Sequence, residues 1–381
     1  MCDGYENCNI CGKPKTDNKW CKTCNSGRFK EQFGNWTSEN EAIDNFIKET
    51  QLNAMSSDQV LEWVSFEKEI FGVEYLAKGG YGSVYNAKWR SGHIKYYDDK
   101  AKKWRRSGET EIILKSIKDS KDVNEEFFEE IKQQMTSFVK LGFIIKCYGV
   151  TKCPHNDNYM MIMDYKKDGS LRKYLDKNFG LLKWQQKLEL LYTISEGLYA
   201  MHEKNLIHKD FHSGNIIISE GQSYITDFGL CKNVNSETQG GVHGVLPYVA
   251  PEVLLGDPYT MAADIYSFGI IMNEIALGYP PYHDIPHDTK LAIKIIHGNR
   301  RPGPDKSKTP KTIIDLINRC WDKNPEVRPK AIDLRNELSS YKEKNDSTIW
   351  TEIDEIEKNF IPVFLTYEIS DQAFYTSRLL P

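Results

Sequence analysis

The sequence predicts an α+β chain with strand-forming segments and two helices in its first half, a mainly helical second half, and a small N-terminal metal module. Three observations carry this reading. Extended runs recur at Leu76–Tyr85 and Glu111–Ile117, and a further one opens the stretch Tyr159–Leu171. Leu188, Leu191, Ile194, Leu198 and Met201 then repeat at helical spacing, and Asp264–Gly269 opens a segment apolar almost all round, the mark of a buried helix. Cys8-x-x-Cys11 and Cys21-x-x-Cys24 stand as paired ligands near the start. A chain of 381 residues has the length for two cored lobes plus smaller appendages.

Composition narrows the class. Hydrophobic residues make up 40% and charged ones 27%, which excludes a disordered or membrane-embedded chain. A net charge of -4 offers no overall attraction for nucleic acid. No apolar run is long enough to span a bilayer, and MCDGYENCNICG lacks the layout of a secretory signal, so the expected address is cytoplasmic, without a membrane partner.

Taken in order, residues 1–30 carry Cys8, Cys11, Cys21 and Cys24, with nine residues between the pairs. Two such knuckles deliver four thiolates to one tetrahedral Zn²⁺, and the metal replaces a core that so short a segment cannot build. The alternatives are a pair of disulfides or unliganded thiols. A purely structural staple and a module that binds protein or nucleic acid both fit the pattern. Residues 31–65 hold an expected helix, Glu39–Leu52, entered through Ser38 with Glu41 as capping-box partner and with Ala42, Ile43, Phe46 and Ile47 on one face. Asn53–Gln59 reads as a linker, and Trp63, Phe66 and Phe71 as anchors for the first strand.

Residues 86–111 read as an insertion in which Lys100, Lys102, Lys103, Arg105 and Arg106 surround Trp104. Such a patch meets nucleic acid, acidic substrates or an import receptor, or is only a solvated loop. A helix is expected from Asp122, capped by Glu125, with the apolar stripe Phe128, Ile131, Met135 and Phe138.

The chemistry concentrates in Leu206–Asn215, LIHKDFHSGN, answered by Asp227-Phe228-Gly229. Asp210, Asn215 and Asp227 lie at the ends of short extended segments. A hydroxyl attacking a phosphate needs a carboxylate beside it, and the metal ions that neutralise phosphate oxygens need hard oxygen ligands. That is a phosphoryl-transfer arrangement.

At these residues the sequence resembles the eukaryotic protein kinases, and over roughly residues 66–340 the family's motifs occur in order. The resemblance implies a bilobal protein-kinase-like fold over 66–343, with an N-lobe of small antiparallel sheet plus one helix to about residue 165 and a mainly helical C-lobe from about 166. It implies ATP and Mg²⁺ as cofactors and protein substrates as partners. Asp210 takes the role of catalytic base, and Asn215 and Asp227 those of magnesium ligands. LAKGGYGSVY matches the glycine-rich loop, with Gly79 and Gly82 in the pattern, Tyr81 at the tip and Val84 over adenine. Lys115 matches the lysine that grips the α- and β-phosphates. Glu130 best matches its glutamate partner, against the reading of an exposed acidic helix face shared with Glu125, Glu126 and Glu129. Met163 takes the gatekeeper position and Asp164, Tyr165 and Lys166 the hinge, although a methionine run by itself is ordinary core packing. Leu230–Val249 runs to Ala250-Pro251-Glu252, the activation-segment terminus, with Ser236 and Thr238 as phosphorylation sites or plain loop hydroxyls. Arg328 is the expected partner of Glu252.

Several family positions depart. Lysine precedes Asp210 where arginine is usual, Ala77 replaces the first glycine, Ile113 stands where alanine is common, and Val245 replaces a small threonine. His212 replaces the lysine of serine/threonine kinases. The DGSL, CW and RP elements look most like the tyrosine-kinase-like branch of serine/threonine kinases. The leading expectation is ATP-dependent phosphorylation of serine or threonine, with tyrosine possible by the family's range; the alternative is a pseudokinase scaffold. Residues 344–381, rich in aromatics, read as a docking tail or a partner-binding segment.

Overall fold

The computed structural model describes residues 5–79, 82–116, 125–137, 142–234, 241–298, 303–343, 347–358, 360–362 and 365–380. It divides into two compact units, Met1–Met135 with Lys146–Tyr165 and Thr136–Ile145 with Lys166–Pro381. The expected positions Gly80, Tyr81, Asp122, Phe138, Ser236 and Thr238 lie outside the described residues.

The first unit runs α1 (Lys22–Gln32), α2 (Glu41–Asn53), β1 (Glu62–Trp63), α3 (Phe66–Glu69), β2 (Ile70–Gly79), β3 (Gly82–Trp89), β4 (Ile94–Asp98), β5 (Lys103–Arg106), β6 (Thr110–Ser116), α4 (Glu125–Ser137), β7 (Cys147–Lys152) and β8 (Tyr159–Asp164). Six strands form one sheet in the order β1-β7-β8-β6-β3-β2, antiparallel except that β1 runs parallel to β7. Strand alternation puts Ala87 and Trp89, Ile112 and Leu114, and Met160 and Ile162 into one buried cluster. Lys115, one residue past Leu114, therefore faces the other side of the sheet.

Two expectations for this unit need correction. The helix begins at Glu41, not Glu39, because Asn40 is its cap and accepts from the Ala42 and Ile43 amides at 3.0 and 3.2 Å. Ser38 cannot cap it, since Asp44 accepts both its amide (2.8 Å) and its hydroxyl (2.5 Å). Ala42 is exposed, whereas Ile43 and Ile47 are buried. The basic insertion is also not an open loop over 86–111. Its ends belong to β3 and β6, and its middle is the β4–β5 hairpin. Trp104 stacks on Phe29 and Trp20, with ring centroids 4.5 and 5.7 Å apart, and its Nε1 donates to Gln32 Oε1. Arg105 bonds Asp98 and Arg106 bonds Glu62. Trp104, the aromatic at the centre of the basic run, is thus occupied by the N-terminal module, whereas a nucleic-acid platform needs its stacking face open.

The second unit runs α5 (Leu171–Asn178), α6 (Trp184–His202), β9 (Leu206–Ile207), β10 (Ile216–Ser219), β11 (Gln222–Ile225), β12 (Lys232–Asn233), β13 (His243–Gly244), α7 (Pro251–Leu254), α8 (Met261–Leu277), α9 (Thr289–Ile296), α10 (Lys311–Cys320), α11 (Ala331–Lys342), α12 (Ser347–Glu357) and β14 (Arg378–Leu379). One apolar core joins α6, α8, α10 and α11, with Ile349 and Ile353 of α12 buried in it. Helix α8 is the buried helix the sequence predicts, with thirteen of its seventeen residues buried. It can sit so close to α10 because Gly269 has no side chain; a Cβ there would lie 2.9 Å from Cys320 Cβ. Among the described residues no helix is long and apolar enough to cross a membrane.

Candidate active site

The first unit supplies an ion pair. Lys115 on β6 lies opposite Val84 in the ladder, and its Nζ donates to Glu130 Oε1 of α4 at 2.7 Å, both groups buried. A buried charge of either sign needs such a partner. Glu129 turns outward to Lys132, so the acidic helix face divides between one inward and one exposed carboxylate. Gly79 pairs with Gly82 at the closing end of the β2–β3 hairpin, and Ala77 pairs with Val84. Met163 is buried opposite Ile113, and the Asp164 amide donates to Lys146 O (2.9 Å), so that donor is already used.

The second unit supplies the carboxylate. Asp210 sits in the loop after β9, 4% exposed. Asn215 Nδ2 donates to Asp210 O (3.0 Å) and to its Oδ2 (3.2 Å). His212 Nδ1 accepts the Gly214 amide at 3.1 Å, which fixes the tautomer with the proton on Nε2. That nitrogen faces Asp210 Oδ2 at 3.6 Å. Asp210 Oδ1 is buried and has no hydrogen-bond partner among the described residues. One oxygen is therefore held by neighbours while the other has no hydrogen-bond partner among the described residues, and a buried acceptor without a partner is costly unless function requires it. Asp227 follows β11 in the left-handed region at φ 66°, and the Thr226 amide before it donates to Asn215 O. Lys166 lies with its Nζ 4.2 Å from the Tyr224 ring centroid.

Two supports escaped the sequence reading. Asp264, at the start of α8, accepts from the His208 amide (2.8 Å), the Lys209 amide (3.1 Å) and His202 Nε2 (3.1 Å). It anchors a loop whose Lys209 is strained at φ 67°. Burial, and then the charge of Lys232, hold the Lys209 ammonium below the usual lysine range. The second support is Glu274 on α8, fully buried, which accepts from Arg172 Nη1 (2.5 Å), Ser213 Oγ (2.9 Å) and Tyr248 OH (2.7 Å). Burial and then the Glu274 charge push the Tyr248 hydroxyl far above the usual tyrosine range, so it stays a donor. An acidic residue inside an otherwise apolar helix was the available signal, because a buried carboxylate implies donors around it. Arg328 meets Glu252 through two bonds of 2.6 and 2.8 Å.

A separate cluster lies near the N-terminus. Cys8, Cys11, Cys21 and Cys24 bring their sulfurs within 4.8 Å of one another, with Cys8 to Cys24 at 3.7 Å and Cys11 to Cys21 at 3.5 Å. Four thiolates at about 2.3 Å from a tetrahedral zinc stand about 3.8 Å apart, whereas a disulfide needs about 2.05 Å. All four are free thiols, and the spacing fits the metal and not the disulfide alternative. The cluster shares a core with the hairpin, where Trp20, Phe29, Ala54, Val60 and Ile94 pack together.

The family model described as protein tyrosine and serine/threonine kinase matches residues 71–338. The chain is 25% identical to serine/threonine-protein kinase STY17 of Arabidopsis thaliana over 74% of this chain and 47% of that one. It is 27% identical to tyrosine-protein kinase SPK-1 of Girardia tigrina, over 69% and 51%. It is 26% identical to stress-activated protein kinase alpha of Dictyostelium discoideum, over 75% and 44%. The chain spans about half the length of these relatives or less.

Proposed function

Since the chain belongs to the protein tyrosine and serine/threonine kinase family, we propose that it transfers the γ-phosphoryl group of ATP to protein hydroxyls, serine or threonine ahead of tyrosine. The observation that carries this is the buried Asp210, with Oδ2 held by Asn215 and Oδ1 unpartnered among the described residues. Asp210 Oδ1 orients the acceptor hydroxyl and takes its proton as the oxygen bonds to the γ-phosphorus and the bond to the β–γ bridging oxygen breaks. Lys115, fixed by Glu130, binds the α- and β-phosphates. The Asn215 amide is oriented by its Nδ2 bonds, which leaves its Oδ1 as a hard oxygen donor, and Asn215 and Asp227 are oxygen ligands of the kind that suits Mg²⁺. Mg²⁺ bound there neutralises phosphate oxygens. His212 stands where the family's lysine supplies charge, and its Nε2–H instead steadies Asp210 Oδ2.

We assign the four cysteines a structural Zn²⁺, which suits their spacing, and the free thiols suit a reducing, cytoplasmic compartment. The test is incorporation of labelled phosphate with Mg²⁺, followed by phosphoamino-acid analysis, in wild type, Lys115→Met and Asp227→Asn. Wild type is expected to label serine or threonine, and each variant to lose at least about 100-fold. Full activity in either variant removes its role. Stoichiometric ATP binding without transfer in wild type favours a pseudokinase scaffold.

A further inference from the structure

The residues from 365 to 380 take no part in that chemistry, yet they are built onto the second unit. The Ser370 amide donates to His283 O at 2.8 Å, the His287 amide to Gln372 O at 2.9 Å, Tyr375 OH to Pro281 O at 2.7 Å, and Arg378 Nη2 to His287 O at 2.8 Å. The segment ends as a strand. Arg378 pairs with Gly244 and Leu379 with His243, antiparallel, and the Leu380 amide donates to Val242 O at 2.8 Å. Leu379 lies over Gly241, where an added Cβ would meet its Cδ1 at 2.6 Å.

The edge so covered runs past the reactive carboxylate. A Cβ built on Gly244 would lie 3.5 Å from Asp210 Oδ1, the oxygen without a partner. The backbone of this edge is therefore within reach of an extended peptide whose hydroxyl meets that oxygen. Main-chain pairing at a strand edge gives affinity that makes little demand on side chains. The present occupant is lightly held, since the ladder has two residue pairs and Leu379 is 60% exposed. Short, exposed pairings belong to the easily opened end of a fold.

We propose that Val242–Gly244 is a docking edge for an extended acceptor peptide, and that Arg378–Leu380 of the same chain is its resident occupant, which an acceptor must displace. The proposal rests on the kinase reading for the chemistry of the incoming peptide. It makes the segment a competitor in cis, so releasing it lowers the peptide KM and leaves the ATP KM alone.

The test uses the full chain and two readouts. With Leu379→Asp and Leu380→Pro together, the KM for myelin basic protein is expected to fall at least threefold with the ATP KM unchanged. Arg378→Ala, which removes the bond to His287 O and the contact with the Phe374 ring but keeps the strand backbone, is expected to shift it the same way by less, and serves if the double variant fails to fold. Hydrogen exchange of residues 371–380, followed in wild type and in Asp210→Asn, is expected to quicken when myelin basic protein is added and not with ATP alone. Unchanged exchange with saturating acceptor, or an unchanged acceptor KM in folded variants, overturns the proposal. Quickened exchange with no transfer by any chain keeps the docking edge and sinks the kinase reading alone.

Discussion

Gly214 lacks a side chain where His212 needs the room. A Cβ there would lie 2.7 Å from His212 Cε1 and 2.9 Å from Nδ1, so alanine must push the ring away and break the amide bond that fixes its tautomer. Asp210 Oδ2 then loses one of its two neighbours. Gly214→Ala is expected to lower kcat about 10- to 100-fold with the ATP KM unchanged, since small misplacements of a catalytic group have effects of that order. A double variant with His212→Ala should be no slower than His212→Ala alone, because both act through one ring. Additive losses in steady-state kinetics would show that the two residues work separately. The carboxylate, the amide and the magnesium-type ligands were all legible as residue types in order along the chain. The unpartnered state of Oδ1 was not, because it depends on where Asn215 and His212 point, and no spacing rule carries that.

Strands and helices were legible where their period was strong. The run Glu111–Ile117 forms β6 over its described residues, a strand opens at Tyr159, and the apolar helices α6 and α8 form as their patterns require. What the sequence concealed was contact between distant residues. Ser38 has the look of a cap, but Asp44 six residues on takes its hydroxyl. The hairpin read as a charged loop because nothing local says that Trp104 meets Trp20 and Phe29, more than seventy residues earlier. Asp264 read only as a helix start, since its donors are backbone amides of a loop 55 and 56 residues away. The shared core of cysteine module and hairpin makes a thermodynamic prediction. Removing the metal with a strong chelator should expose Trp20 and Trp104 together and melt α1, α2 and the β4–β5 hairpin as one unit. Trp20→Ala, at 2% exposure, should destabilise the same unit by about 3–5 kcal/mol. Tryptophan fluorescence and exchange mapping would check both; melting confined to residues 1–30, with the hairpin still protected, would separate the module from the hairpin. Metal analysis of the purified chain comes first, and finding no zinc removes the assignment.

Each compact unit holds some of the residues of the proposed machinery: the Lys115–Glu130 pair lies in the first, and Asp210, Asn215 and Asp227 in the second. The family, shown by the match over residues 71–338, was legible from sequence because its motif residues stand in order along the chain. The course of residues 365–380 was not legible, because its aromatics follow no period and it is tied down by single polar contacts such as Tyr375 OH to Pro281 O and Arg378 Nη2 to His287 O. The account turns on Asp210, and one measurement tests it most directly. Transfer from labelled ATP is followed beside ATP binding in wild type and Asp210→Asn. Wild type should transfer, and Asp210→Asn should bind ATP equally while transferring at least about 100-fold more slowly. Equal transfer by the two chains, or ATP binding without transfer by wild type, would contradict it.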